Sequence, residues 1–373
     1  MLKAIKIRLY LNDEEINYIN SLLGTCRFIY NNLLSYKIEE YNNNQHNVNF
    51  SELGKRLTNL KNEYEWIKNS HSKVLQQSLI NLNQAYNNFY KNGTGFPKFK
   101  SRKNNKQSCR FPYDAISGIK GNRLNLIKQL KDIHFKCSRF DEKYLNKNQH
   151  LIKSATLSKT KTNKYYLSIL IDKPNTKQLN KTDKVIGLDL GIKDFIIDSN
   201  SNTYENIKIK RNNKKKLAKL HRELSRKQKG SSNKNKSRIK LAKFYEKLNN
   251  QKEYYLHYIT NKLLDENQVI VIEDLNVSEM LKNKCLARSL QELSINRFRQ
   301  LLEYKCKWYD RDLIIIDRYY PSSKLCNKCS YKNNELTLKD RTWKCKSCDT
   351  VHDRDINAAI NIKNKGNRIL NIK

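Results

Sequence analysis

Cys326, Cys329, Cys345 and Cys348 stand in a C-x2-C-x15-C-x2-C array, and this spacing constrains the fold more than any other feature of the chain. Two tight turns, each carrying a pair of thiolates, can converge tetrahedrally on one Zn2+, so 326–350 reads as a zinc ribbon. Disulfides or a redox pair are the competing reading, but in an intracellular chain this spacing points to metal. So small a ribbon has almost no apolar core, and metal binding supplies most of its folding free energy. Lys324, Lys328, Lys332, Lys344 and Lys346 surround the thiols, where they offset the charge of a four-thiolate centre and can also touch phosphate.

The ribbon leaves function open, and charge narrows it. The 373 residues include 74 Lys+Arg against 36 Asp+Glu, a formal net charge of +38. Such a chain repels itself unless a polyanion neutralises it, and the basic excess runs from one terminus to the other. An extended, salt-dependent contact with RNA, DNA or both is expected. Some of the 22 tyrosines can stack on unpaired bases, although most belong to core or boundary positions. Met1 to Tyr10 alternates charged and apolar residues as a strand does, which is not a signal peptide. No apolar run reaches membrane-spanning length. A cytoplasmic, nucleoid-associated bacterial protein is expected, with no membrane partner and no small-molecule substrate. Its five other cysteines should be reduced and buried.

Read along the chain, Asn12-Asp13-Glu14-Glu15 offers an N-cap and a capping-box acid before Ile16, Ile19, Leu23, Cys26 and Ile29 at helical spacing. Helical stripes continue through Leu53, Leu57 and Leu60, then Leu75, Leu79 and Leu82, to about Tyr90. Gly93 to Pro97 breaks the pattern, and Lys98, Lys100, Arg102, Lys103, Lys106 and Arg110 follow. From Cys109 to about Lys173, short alternating stretches predict a small β-barrel or meander that includes the opening strand. A polar connector, 174–183, leads to a hairpin over Val185 to Asp198. Two basic helices are expected over 210–229 and 236–264, a strand at Val269 to Leu275, one helix over 290–310, a strand at Leu313 to Asp317, and a last helix over 355–363.

Three carboxylates emerge from apolar contexts: Asp189 within a strand, Glu273 at a strand end, and Asp355 opening a helix. An acid in an apolar run is costly unless it is paired or binds a cation. Three brought together would repel, and divalent metal resolves the conflict: two Mg2+ ions about 3.5 to 4 Å apart can activate water and clamp a scissile phosphate. Spacing alone does not show that the three converge.

The combination of Gly187-Leu188-Asp189-Leu190-Gly191-Ile192-Lys193-Asp194-Phe195, Ile272-Glu273-Asp274-Leu275-Asn276-Val277, the four-cysteine array and Asp353-Arg354-Asp355-Ile356-Asn357-Ala358-Ala359 resembles the TnpB (OrfB) family, transposon-encoded relatives of type V CRISPR effectors. Lys6 to Tyr10, Cys26 to Asn31, Gly95 to Lys100 and Pro321 to Cys326 match as well, so the resemblance covers essentially the whole chain. It implies an α+β multidomain protein. A RuvC-like RNase H fold, α/β with a mixed sheet, is interrupted by the zinc ribbon and preceded by a wedge β-barrel with an inserted helical recognition domain. The implied divisions are wedge 1–11 and 109–182, recognition domain 12–108, nuclease domain 183–325 and 351–373, and ribbon 326–350. The implied activity is RNA-guided, Mg2+-dependent DNA endonuclease action. A guide RNA from the transposon end directs cleavage of double-stranded DNA beside a short adjacent motif, and a transposase is encoded separately. Asp189, Glu273 and Asp355 carry over as the catalytic, metal-binding acids; Asp353 falls outside the motif position. Gln76 carries over as a base reader, since an amide can bond adenine N6 and N7 together. Lys98, Lys100 and Arg102 are the other candidate nucleic-acid contacts. A relative that binds without cutting, a strand-transfer enzyme and a structural RNA-binding ribbon are the alternatives, and the intact acid trio weighs against the first and last.

Overall fold

The computed structural model describes residues 1–103, 107–173, 179–337 and 339–371, and the side chains of 284–286 and 371 fall outside that description. Lys106, the first part of the connector and the Cys285 side chain are therefore outside it. Two compact units follow one another, Met1–Pro174 and Asn175–Lys373.

The first unit is an antiparallel sheet with a helical insertion. Strand β1 (Leu2–Tyr10) lies inside a seven-stranded sheet of order β2-β6-β7-β1-β5-β4-β3, made with β2 (Gln107–Pro112), β3 (Gly118–Lys120), β4 (Arg123–Asn125), β5 (Ile133–Lys136), β6 (Ile152–Lys159) and β7 (Tyr165–Asp172). Its two-residue alternation buries Ile5, Ile7 and Leu9 and exposes Lys6 and Tyr10. Between β1 and β2 the chain forms α1 (Asp13–Asn44), α2 (Phe50–Glu63) and α3 (Ser72–Asn92). The expected capping box is present: Asn12 Oδ1 accepts from Glu15 N and Glu15 Oε2 from Asn12 N, each at 2.8 Å. Helix α3 stops at Gly93, whose φ of 59° is the left-handed geometry that glycine adopts without strain. Leucines of all three helices and alternate residues of the sheet share one core.

One element in this unit departs from expectation. Helix α4 (Arg139–Lys147) sits within the stretch read as all β, started by Ser138, whose hydroxyl accepts from Asp141 N at 3.1 Å. Only Leu145 of that helix is buried, so no apolar stripe announces it.

In the second unit, β8 (Val185–Leu190), β9 (Asp194–Asp198) and β10 (Thr203–Glu205) form an antiparallel meander. Strand β11 (Val269–Glu273) pairs parallel to β8, and β12 (Asp312–Ile316) parallel to β11, giving the order β10-β9-β8-β11-β12. The connection from β10 to β11 contains α5 (Ile209–Asn212), α6 (Lys214–Ser225) and α7 (Ser232–Glu266); that from β11 to β12 contains α8 (Val277–Met280), α9 (Lys284–Leu293) and α10 (Ile295–Tyr309). The single helix expected over 290–310 is in fact two, because Ser294 takes a left-handed φ of 55° and interrupts the hydrogen-bond ladder. Strands β13 (Thr342–Lys344) and β14 (Val351–Asp353) pair in the thiol-bearing segment, and α11 (Arg354–Asn371) closes the chain.

The sheet has two covered faces. Ile186, Leu188, Ile270 and Ile272 meet α7 and α10 through Leu256, Ile259, Leu263, Phe298 and Leu302. Val269 and Val271 point the other way, onto Ile362 of α11. Contact between β8 and α11 is so close that a Cβ on Gly187 would run into the Ala359 carbonyl and the Lys363 backbone nitrogen, and one on Gly366 would run into Val271. Among the described residues no helix is long and apolar enough to cross a membrane.

Candidate metal centres and nucleic-acid surface

Strand register brings the first two acids together. Leu188 is paired with Ile272 across the parallel β8–β11 ladder, so Asp189 and Glu273 occupy the next position on each strand, at the carboxyl-terminal end of the sheet. Period-two alternation puts both on the face of Gly187 and Val271, the face that α11 covers. Asp355 lies in the first turn of that helix. Crevices at the carboxyl ends of parallel strands are where open α/β sheets bind ligands.

Asp189 feels the charges of the other two. Burial, followed by the charges of Glu273 and Asp355, pushes Asp189 up to about 7. Burial also raises Glu273, against the opposing effect of a 2.5 Å hydrogen bond from Ser322 Oγ. Asp355 is held by Arg341, Nη1 to Oδ2 at 3.0 Å. Half-buried carboxylates, two of which raise the third, are the oxygen-rich donor set that a hard divalent cation takes. Among the described residues, however, only the thiols crowd their ligand atoms to within 4.8 Å of one another.

Asp353 has a different task. Its Oδ1 accepts from the Asp355 and Ile356 nitrogens, each at 3.0 Å, which makes it the cap of α11. Asp274, next to Glu273, is clamped by Arg299 at 2.8 Å and Arg318 at 2.5 Å, and those guanidinium groups hold its carboxyl below the usual range.

The four thiols converge as their spacing predicts. Cys326 and Cys348 lie 3.5 Å apart, as do Cys329 and Cys345, close to the ~3.8 Å between ligands of a tetrahedral Zn2+ with 2.3 Å bonds. In each knuckle the residue after the second thiol donates back to the first: Ser330 N to Cys326 O and Asp349 N to Cys345 O, both at 3.0 Å. Hydrogen bonding by Thr350 lowers the Cys348 thiol while burial raises Cys326, a division that a dication would end by deprotonating the set. His352 Nε2 lies 3.0 Å from Cys326 Sγ, a partner outside the cysteine array. Of the surrounding lysines, Lys344 pairs with Asp349 and Lys346 with Glu335.

Two buried asparagines on α11 join the ribbon to the acid-bearing helix. Asn357 accepts from Asn327 N at 3.0 Å and donates to the Leu325 carbonyl at 2.7 Å; Asn361 donates to the Ser322 and Leu325 carbonyls at 2.8 and 2.7 Å. Asn357 belongs to the motif that carries Asp355, yet its role is a structural one that the motif does not state. Its signal was there: two amides one turn apart in an apolar helix must satisfy backbone somewhere. Ser322 and Arg341 left no comparable signal.

The first unit carries the remaining candidates. Gln76 is exposed on α3 between the core residues Leu75 and Leu79. Lys98, Lys100 and Arg102 follow Gly93, all exposed. Asn31 ties this segment to α1, accepting from Lys100 N at 2.8 Å and donating to Lys100 O at 2.9 Å, while Lys100 Nζ lies 3.7 Å from the centre of the Tyr30 ring. Two segments distant in sequence thus form one surface. Of the five other cysteines, Cys26, Cys109 and Cys306 are buried, and Cys137 is only half-buried.

Fold and site together define a strongly basic α/β protein with an acid-lined sheet end and a four-thiol ribbon. Family models match in three places: the Cas12f1-like TNB domain over residues 296–362, the OrfB model of IS605 described as a probable transposase over 168–284, and its helix-turn-helix domain over 1–46. In this chain, residues 1–46 are a strand and one long helix rather than a helix-turn-helix. A Streptomyces pristinaespiralis protein named as a candidate RNA-guided DNA endonuclease is 34% identical over 96% of this chain and 88% of its own length. An Escherichia coli K12 protein named in the same way is 29% identical over 99% and 93%. A TnpB-like protein of Methanocaldococcus jannaschii is 31% identical over 53% of this chain and 74% of its own. A solved Cas12f1–guide RNA–target DNA complex shares the fold, with a TM-score of 0.60 at 17% identity over 94% of this chain and 83% of that one. The chain belongs to the TnpB (OrfB) family.

Proposed function

We propose that this protein is an RNA-guided DNA endonuclease encoded by a transposon, and that Asp189, Glu273 and Asp355 form its single RuvC-type catalytic site. The observation that carries the reading is the convergence of the three acids at one sheet end, where Asp189 is raised to about 7 by burial and by the other two. The strand order, an antiparallel meander extended by two parallel strands, supports an RNase H-like architecture for 183–325 and 351–373. The chain covers 88% and 93% of the Streptomyces and Escherichia relatives named as RNA-guided endonucleases.

The donor set fits Mg2+, with Asp189, Glu273 and Asp355 as its holders. Held by these acids, Mg2+ would supply a nucleophile from water and stabilise the leaving 3′ oxygen. Ser322 orients Glu273, and Arg341 occupies Asp355 until cation or phosphate competes for it. Zn2+ at Cys326, Cys329, Cys345 and Cys348 shapes the ribbon 326–350, which the Asn357 and Asn361 bonds hold against α11. The sheet of the first unit serves as the wedge domain, 1–11 and 109–182, and 12–108 as the recognition domain, with Gln76 reading the adjacent motif and Lys98, Lys100 and Arg102 gripping backbone. Guide pairing then reads sequence while the protein grips shape and a short motif. The guide derives from the transposon end and the transposase is a separate protein.

The test uses protein purified with RNA from the 3′ end of its own gene and flank, and a plasmid library with a guide-matched target beside randomised bases. Mg2+-dependent linearisation of plasmids sharing one adjacent motif, absent in EDTA and in Asp189→Ala, is expected. Guide-dependent binding without cutting in the wild type would replace the reading with that of a silenced regulator.

A further inference from the structure

A 430 Å³ cavity opens beside α1 in the first unit, with Gly24, Arg27, Phe28 and Asn32 on the helix and Phe99 on the segment that Asn31 ties down. We propose that it is a binding site for one unpaired nucleotide, its base stacked on phenylalanine and its phosphate held by Arg27. Neither the acids nor Gln76 line it, and the inference rests on the nucleic-acid-guided reading above for its ligand class.

Four observations point there. Arg27 is half-buried, and among the described residues its guanidinium has no hydrogen-bond or ion-pair partner. A charge withdrawn from water without a counter-ion is costly, so such a group at a cavity marks an anion site. Phe28 and Phe99 provide aromatic walls; Phe99 is 56% exposed, and Phe28 continues into a cluster with Tyr64 and Trp66 at ring separations of 5.2 and 5.1 Å. Among the described residues the Asn32 amide has no hydrogen-bond partner and can meet a base edge, whereas both ends of the Asn31 amide are spent on Lys100.

Gly24 is the fourth observation. A glycine in the interior of a 32-residue helix weakens it relative to alanine. Close packing does not require it here: a Cβ would meet nothing nearer than Arg27 Nη2 at 3.9 Å. What the missing side chain provides is the space of the cavity. Its volume falls within the range of about 300 to 1,000 Å³ usual for small-ligand sites. A stacked, charged, mononucleotide-sized pocket in a chain of net charge +38 fits an unpaired nucleotide better than an acidic peptide, which would leave the aromatic walls unused.

The experiment uses the full chain in EDTA with 12-nucleotide single strands carrying one 5-iodouridine or 5-iododeoxyuridine, photo-crosslinked and mapped by mass spectrometry, alongside anisotropy titrations. Crosslinks should map to Phe28 or Phe99. Gly24→Leu, which fills the cavity, should abolish them and weaken single-strand binding by at least about 5-fold, the lower end for one stacked base, with duplex DNA binding unchanged. Arg27→Gln should lower the salt dependence by about one phosphate contact and serves as the second variant if Gly24→Leu does not fold. Crosslinking by the RNA alone would assign the pocket to the guide, and by both strands to unpaired nucleic acid in general. Crosslinks elsewhere, or a folded Gly24→Leu or Arg27→Gln with unchanged single-strand affinity, would overturn the proposal. If guided cleavage proceeds without these crosslinks, only the pocket fails; if the crosslinks form but no cleavage occurs, only the nuclease reading fails.

Discussion

The thiol cluster and the acid cluster both gather metal-type ligands, yet they are built by opposite means. The four thiols lie within 23 residues, on two knuckles closed by their own backbone hydrogen bonds, and their ligand atoms all fall within 4.8 Å. The acids are 84 and 82 residues apart, and their convergence is not set by their neighbours in sequence, although Asp353 caps the turn that carries Asp355. They meet because β8 and β11 pair in one register and because Gly187 lets α11 lie against β8. A local site depends on metal to exist; a site assembled by tertiary packing depends on the sheet. Buried asparagines of α11 are the joint between the two.

That contrast breaks most visibly at the thiols. Cys345→Ser should lower the zinc content from one per chain to a small fraction and remove most of the folding free energy of the ribbon, out of about 10 to 16 kcal/mol that structural zinc supplies. Hydrogen exchange should rise across 326–350 while the amides of β8, β11 and β12 stay protected. Equal loss of protection in the five-stranded sheet would show that the ribbon is not a local construction.

The reciprocal break is Gly187→Ala. Its Cβ would overlap the backbone at Ala359 and Lys363, which cannot rotate away as a side chain would, so about 3 kcal/mol of stability should be lost on chemical denaturation. Gly54→Ala, on α2 with nothing within 4 Å of its Cβ, should instead stabilise by about 0.5 to 1 kcal/mol. A Gly187→Ala protein as stable as wild type would mean that α11 does not seat the third acid through this contact.

How far each site was legible follows from the same difference. The ribbon was readable from spacing because sequence distance and spatial distance are nearly the same thing there. Asp189, Glu273 and Asp355 stood out singly as acids in apolar runs, but their meeting is a matter of β8–β11 register, which period-two alternation does not specify between strands 84 residues apart. The helix start at Asp13 was readable from its cap, whereas α7 begins at Ser232 rather than at 236, because Ser231 caps a first turn that carries no apolar stripe; α4 escaped because one buried leucine makes no stripe, and the break at Ser294 escaped because serine rarely marks a left-handed position. Ser322 and Arg341 are ordinary residues whose roles exist only in the assembled fold.

A smaller effect separates the electrostatics of the two sites. The Asp189 carboxyl is raised from 3.8 to about 7, so folding opposes its ionisation. Below about pH 4 the group is protonated in both the folded and unfolded chain and nothing is lost; as pH rises towards 7, the unfolded chain releases the proton first and stability falls. Asp189→Asn should therefore stabilise the Mg2+-free protein at pH 8 by about 2 kcal/mol, discounted for partial solvent access, with the difference vanishing near pH 4. Adding Mg2+ should raise the melting temperature of the wild type and leave the variant unmoved. Parallel pH profiles for the two proteins would remove the repulsion argument for a shared cation site.

The finest test returns to the knuckles. Ser330 and Asp349, each directly after the second thiol of its pair, hold left-handed φ values of 63° and 55°, where an L side chain costs about 1 kcal/mol or more and glycine does not. Part of the gain from glycine is returned as extra freedom in the unfolded chain, so Ser330→Gly should stabilise the zinc-bound ribbon by about 0.5 kcal/mol. Asp349→Gly should gain less, because it also gives up the 2.9 Å pair with Lys344, an exposed contact of small worth. Chelator competition reads this directly: Ser330→Gly should retain zinc at about twice the chelator concentration that strips the wild type. Weaker retention would mean that the serine hydroxyl, rather than the backbone turn alone, supports the knuckle.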